Sequence, residues 1–327
     1  MSKKLSVTFS PHLQDCRSIR SMTLETIAAL VPAMLVGFYY FGPRAILIVI
    51  LSVLAAVLTE AGLQALMGKP VSIGDGTAAL TGLLLALLLP VGAPWWAVIV
   101  GAAVAMSLGR HLFGGLGANP FNSVLIGWIV LQLSWPEAVN QFYEISPLYQ
   151  GMSSLIPVGA SELPLGLLDF GSSGDPTKLY GWGALLIGAV PGGIGTTSFL
   201  ALLLGGLYLV ARKIVPWQIP LGFLGGQFVF ALICWWADPT IYANPVYHLM
   251  VGFSLYGAFF LAPDPTTSPY SPFGAILFGL GAGALTMIIR NWGSYQEGVI
   301  FGLMFLNALT PVLDRINARS YGRVKTA

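Results

Sequence analysis

Two glutamates, Glu25 and Glu60, fall inside or at the edge of long apolar stretches. An ionisable side chain at membrane depth is costly, and it marks a functional site by default. Glu60 lies deeper and is the candidate for an ion path; the alternative for both is an interfacial acid that reaches towards water. The remaining chemistry sits in four polar, glycine-bearing segments at the ends of apolar stretches: Ser72 to Gly82 (SIGDGTAALTG), Gly114 to Asn122 (GGLGANPFN), Pro191 to Ser198 (PGGIGTTS) and Ala262 to Pro272 (APDPTTSPYSP). A helix N-terminus offers unpaired N–H groups and a positive dipole end to a phosphate, carbonyl or carboxylate. Asp75, Asn119, Thr196 and Thr197 sit where such N-termini fall, and plain helix capping by Asp, Asn, Ser and Thr explains the same residues. Four such segments at junctions favour a ligand. His12, His111 and His248 have no metal-ligating partners at workable spacing. Cys16 and Cys234 are too few for a disulfide framework, an iron–sulfur centre or a zinc site within this chain. No nucleophile elbow, zincin helix or phosphate loop occurs.

The elements that position these residues are apolar. Of 327 residues, 56% are hydrophobic and 9% charged, whereas an average soluble domain is about a quarter charged. With a mean hydropathy of +0.78, this excludes a cytosolic enzyme and predicts an all-α polytopic membrane protein. The net charge of +2 comes from scattered bases, with no dense patch for nucleic acid. Ten apolar segments read as helices: 23–41, 44–67, 76–91, 94–110, 120–135, 197–211, 218–236, 246–263, 272–290 and 297–313. The stretch 181–190 is too short to cross and reads as re-entrant or interfacial. With the N-terminus in the cytoplasm, twelve bases fall on cytoplasmic ends, and only Arg44, Lys178 and Arg290 fall outside. That is a positive-inside bias, and it puts both termini in the cytoplasm. The polar first segment 1–22 carries no cleavable-signal pattern.

The halves resemble each other. The run from Leu80 and the run from Met250 each hold an apolar helix, a proline-bearing break, a glycine-rich helix ending in arginine (Arg110, Arg290), a glycine and aromatic turn, and a last helix. Five helices per half is odd, so the halves are predicted to be inverted repeats, with functional sites near their interface. The organisation is thus a cytoplasmic segment 1–22, a first repeat 23–135, an outer loop 136–196, a second repeat 197–313 and a cytoplasmic tail 314–327.

At its junction motifs the chain resembles the D subunit of the Rnf complex and, more distantly, the B subunit of the sodium-translocating NADH:quinone reductase. The matching pieces are Val7 to Leu13 (VTFSPHL), Ser72 to Pro90, Gly114 to Asn122, Pro191 to Gly206 and Leu261 to Pro269, in family order over almost the whole chain. The resemblance implies a membrane subunit of a redox-driven Na⁺ or H⁺ translocase in a bacterial or archaeal cytoplasmic membrane. Its companions would include a small flavoprotein and iron–sulfur subunits, and electrons would pass between ferredoxin and NAD. It also implies a ten-helix inverted-repeat bundle and FMN linked to a threonine in the outer loop. The nearest match here is Leu155 to Ser161: Gly159, Ala160 and the Ser161 hydroxyl fit, while Leu155 replaces the family's acid and Val158 its serine. Ser161 is the candidate attachment residue, and a flavin-less structural subunit stays open. Tyr143, Tyr149, Tyr180 and Trp182 would stack on an isoalloxazine or form an interfacial belt. The resemblance further implies a non-covalent riboflavin or FMN on the cytoplasmic side, near Asp75, Gly76, Asn119 and Asp264. A channel or solute transporter of the same architecture is the competing reading.

Overall fold

A computed structural model describes residues 18–142, 181–239, 241–295 and 297–316. The helices are α1 (Ile19–Phe41), α2 (Pro43–Leu66), α3 (Thr77–Leu88), α4 (Trp95–Ser107), α5 (Ser123–Ser134), α6 (Phe199–Ala211), α7 (Gln218–Ala237), a segmented α8 (Pro245–Met250, Ser254–Tyr256 and the π-helical Gly257–Leu261), α9 (Pro272–Trp292) and α10 (Val299–Ile316). Among the described residues there is no β-strand, only an isolated bridge between Pro90 and Gly193. Among the described residues six helices are long and apolar enough to cross a membrane: α1, α2, α4 with its following turn, α7, α9 and α10. The chain is an all-helical, multi-pass membrane protein, and each of the ten predicted segments contains helix.

Local sequence accounts for the starts. Ser18, Asn122, Ser198 and Ser271 cap α1, α5, α6 and α9, each accepting a backbone N–H from the first turn. Proline stands in the first turn of α2, α8 and α9, where its missing N–H is harmless. The stretch 181–190 holds one short helix, Trp182–Ile187.

The eighth segment departs from expectation. A single helix over 246–263 is predicted, and the structure breaks it at Val251, which is extended, and Gly252, at φ 71°. Gly252 supplies the left-handed turn that ends the first piece, and the freed carbonyls of His248 and Val251 accept from the Arg290 guanidinium at 2.9 and 3.4 Å. Irregular backbone at membrane depth is tolerated where protein satisfies it.

Packing repeats between the halves. α2 packs on α3 and α4, and α4 on α5; α7 packs on α8 and α9, and α9 on α10. The halves meet where α1 lies along α6, and a clamp closes one end of that seam. Arg212 donates through Nε and Nη2 to the two carboxylate oxygens of Glu25, at 2.9 and 3.0 Å. Glu25 is thus a partly buried partner of the half-exposed Arg212 at a helix end, which fits the interfacial alternative.

Candidate functional site

Chain direction brings one set of ends together: the starts of α1, α3, α5 and α9 with the ends of α2, α4, α6 and α8. A cavity of about 400 Å³ opens there, between the halves. Its apolar wall includes Leu80, Leu84, Phe259 and Phe260, and its polar wall includes Thr23, Thr77, Arg110, Asn119 and Thr266. This volume and this mixture of apolar surface with a few convergent polar groups suit a small organic ligand. The π-helical turn Gly257–Leu261 carries both phenylalanines, and such turns recur at functional sites.

One side of the cavity is a relay of buried polar groups. Arg110 Nη1 donates to Glu60 Oε1 and to Thr77 Oγ1, both at 3.0 Å. The Thr77 hydroxyl donates to Asp75 Oδ1 at 2.9 Å, and the same oxygen accepts the Thr77 backbone N–H at 2.9 Å. Behind Arg110, Gln64 Nε2 donates to Glu60 Oε1 at 3.3 Å and to Ser72 Oγ at 2.9 Å. Glu60 is only 2% exposed, and its Oε2 has no partner among the described residues. Gly76 makes the turn into α3 at φ 75°, a conformation that favours glycine.

The opposite wall is the loop after α8. Asp264 Oδ1 accepts the backbone N–H and the hydroxyl of Thr266, at 3.3 and 3.1 Å. Burial raises the Asp264 carboxyl above the usual range, against the pull of these two donors. Asn119 Nδ2 donates to Thr266 Oγ1 at 3.0 Å. Thr310 and Asp314 of α10 hold the same loop from behind, by Thr310 Oγ1 to Thr267 O at 2.8 Å and Tyr270 N to Asp314 Oδ1 at 2.9 Å.

Three hydrogen bonds join the halves around the cavity: Asn119 to Thr266, Asn122 Nδ2 to Leu261 O at 3.1 Å, and Tyr256 Oη to Leu84 O at 2.9 Å. Tyr256 is fully buried. Tyr256→Phe removes this buried hydrogen bond, so a loss of about 0.5–1.5 kcal/mol is expected, read as a lower melting temperature of the detergent-solubilised protein.

Residues 6–322 match the model of the NQR2, RnfD, RnfE family. The chain belongs to that family. Relatives include the D subunit of the proton-translocating ferredoxin:NAD(+) oxidoreductase complex of Clostridium ljungdahlii, 36% identical over 95% of this chain and 93% of the relative. The D subunit of the Na(+)-translocating ferredoxin:NAD(+) oxidoreductase complex of Acetobacterium woodii is 37% identical over 98% of this chain and 96% of the relative. The D subunit of an ion-translocating oxidoreductase complex from Stutzerimonas stutzeri is 36% identical over 94% of this chain and 93% of the relative.

With the chain in this family, the candidate residues sort by position. Asn119 and Asp264 line the cavity, and Asp75 and Gly76 adjoin it through Thr77 and Thr23. Asp75, one residue before the N-cap Gly76, accepts the first N–H of α3, whereas the cap of α5 is Asn122, three residues beyond Asn119. Thr196 and Thr197 lie at the opposite end, lining a small void of about 10 Å³ before α6. Ser161, Tyr143, Tyr149 and Tyr180, the motif Val7 to Leu13, His12 and Cys16 lie outside the described residues. Trp182 packs edge-on against Tyr247, with ring centroids 6.5 Å apart. Sequence reading missed that Arg110 and Arg290 are buried ion-pair partners. Counting each as a helix-end charge hid this, although their equivalent places in the two halves carried the signal.

Proposed function

We propose that this chain is the D subunit of an Rnf-type ion-translocating ferredoxin:NAD oxidoreductase, binding flavin in the cavity between its halves. The observation that carries the flavin assignment is the cavity itself: about 400 Å³, with apolar walls from Leu84, Phe259 and Phe260 and polar groups on two sides. The fit is chemical as well as spatial. Asn119 Oδ1 and the hydroxyl oxygens of Thr77 and Thr266, whose hydrogens go to Asp75 and Asp264, offer acceptors for a ring N–H, and Arg110 offers a positive charge near the ring. A flavin supplies one- and two-electron chemistry when bound; the protein's part is to hold and tune it. Arg110 favours added negative charge in the cavity, and the threonine hydroxyls orient the ligand. The aromatic and leucine walls exclude water, which strengthens each polar contact. Glu60, tied to Arg110, places a carboxylate where the cavity's charge state is felt, and it is our assignment for the ion path.

In this reading the halves are inverted repeats crossing ten times, divided as 23–135 and 197–313. Both termini and the cavity face the cytoplasm, and the partners include a small flavoprotein and iron–sulfur subunits. A second flavin, FMN on Ser161 of the outer segment 136–196, is the family's covalent site carried to this chain. The repeated packing of α2, α4 and α5 by α7, α9 and α10 supports the repeat.

Two measurements test this. The gently purified complex is expected to show flavin absorbance that Asn119→Ala with Thr266→Ala reduces, because both residues lose their contact across the cavity mouth. A colourless complex refutes the cavity assignment. A fluorescent band in a denaturing gel, lost in Ser161→Ala, supports the covalent site, and a dark wild-type band removes it.

A further inference from the structure

At the end opposite the cavity, the second half holds a buried polar cluster that the flavin reading does not use. Arg290 Nη2 lies 3.3 Å from Glu297 Oε2, and that oxygen also accepts the Phe253 backbone N–H at 3.3 Å. Gln227 Nε2 donates to His248 O and Ser254 Oγ at 3.1 and 2.9 Å. Four buried atoms of this cluster have no partner among the described residues: Glu297 Oε1, Arg290 Nε, His248 Nδ1 and Gln227 Oε1. Folded proteins satisfy nearly all buried polar groups, so the unpartnered oxygen of Glu297, the one residue of the four that lines a void, calls for an ion or water. Glu297 is 5% exposed and lines the void of about 10 Å³ between Val190–Thr197 and Met250–Phe253. That is about the room one water-sized occupant needs.

We propose that Glu297 is a binding station for the monovalent cation the complex moves, Na⁺ or H⁺, and is the second half's counterpart of Glu60. The inference rests on the translocase reading. Its core is a repeated arrangement. Arg110 and Arg290 come at the close of equivalent helices, α4 and α9. Each guanidinium holds one oxygen of a buried glutamate and leaves the other unpartnered, Oε2 of Glu60 and Oε1 of Glu297. The glutamates come from non-equivalent places, Glu60 within α2 and Glu297 just before α10, so the chain repeat alone does not account for the match.

The electrostatics suit transit rather than storage. Each carboxylate is neutralised by its arginine at rest, so a cation is held only weakly. A transport site must bind strongly enough to admit an ion and weakly enough to release it. The free oxygen of Glu297 supplies one ligand, and Thr196 and Thr197 add hydroxyl-bearing walls; hard cations take oxygen ligands. The ionisable groups of the cluster are Arg290 on α9 and His248 on α8. Gln227 on α7 is neutral, and the segment Pro191 to Thr197 carries no ionisable side chain. For H⁺, the proton adds to Oε1; for Na⁺, the ion sits against the same oxygen.

The test uses the intact complex and dicyclohexylcarbodiimide, which adds to protonated buried carboxyls, with Glu297 read by mass spectrometry. For Na⁺, modification in sodium-free buffer is expected to rise as pH falls and the proton competes with Arg290, and it is blocked by NaCl but not by KCl. For H⁺, modification rises as pH falls, whatever the sodium concentration. No modification of Glu297 under any condition, while other carboxyls react, overturns the proposal. In liposomes, Glu297→Gln is expected to lose ion uptake while ferredoxin-to-NAD electron flow persists with an ionophore; unchanged uptake also overturns it. Labelling is done on the native chain, so it reads the site even where the variant fails to assemble. Absence of ferredoxin-to-NAD flow in the wild-type complex sinks the wider assignment instead.

Discussion

Arg110→Met is expected to destabilise the protein by about 3–5 kcal/mol, the usual cost of removing one partner from a buried ion pair. The reason lies in what stays behind. Glu60 is 2% exposed and keeps only the Gln64 amide, at 3.3 Å, as a hydrogen-bond donor. Thr77 loses its donor too, so the turn from Asp75 into α3 loosens at the cavity wall. The double variant Glu60→Gln/Arg110→Met removes both charges and is expected to recover most of the stability, because a neutral buried pair needs no compensating ion. A double-mutant cycle on melting temperatures of the solubilised protein reads the coupling directly. Additive losses show that the two side chains act independently. Flavin retention separates the roles: the double variant is expected to be stable yet poor in flavin, because the positive charge is gone from the cavity.

Gly283→Val is expected to do comparable damage by a different route. α7 and α9 meet through two glycine pairs at a spacing of four, Gly222 with Gly226 and Gly279 with Gly283, so their backbones nearly touch. Small residues at this spacing allow close helix approach where lipid gives no hydrophobic drive. A Cβ on Gly283 overlaps the Phe223 carbonyl oxygen and comes within 2.7 Å of Gln227 N. Backbone on both sides cannot turn away as a side chain can. The cost is expected at or beyond the upper end of about 1–3 kcal/mol for overpacking. Gly225, one residue from the contact, has nothing within 4 Å of its would-be Cβ. Gly225→Ala is expected to be neutral or stabilising by up to about 1 kcal/mol, through helix propensity. Melting temperatures of the two variants, which change adjacent faces of one helix pair, check the argument; similar values for both contradict it.

The apolar runs, their capping residues and their prolines made the helices legible, because those signals are local. Ser18, Asn122, Ser198 and Ser271 mark helix starts whatever surrounds them. The grouping of Asn119 and Asp264 at one cavity was legible too, since chain direction sends both junctions to the same end. The broken α8 was not. Gly252 permits a stop without fixing one, since α7 and α9 run unbroken through several glycines; that Arg290, far along the chain, takes up the freed carbonyls is a tertiary fact. The ion pairs escaped notice for the same reason. An arginine at a helix end looks like a surface charge until packing against α2 or the start of α10 encloses it. Glu297 stood outside consideration because its neighbours are polar, and only the fold buries it.

The segment before α6 has a bearing on biogenesis. α3 has 12 residues, about 18 Å of helix, well short of the roughly 30 Å hydrocarbon layer. Its last carbonyls do not meet lipid: Leu89 O and Leu87 O accept from Ile194 N and Gly195 N at 3.0 and 2.8 Å. The donors follow the rest of the first half and nearly all of the outer segment in the chain, so α3 gains these two hydrogen bonds only after both have been synthesised. The Pro90–Gly193 bridge thus ties completion of the first half to synthesis of the end of the outer segment.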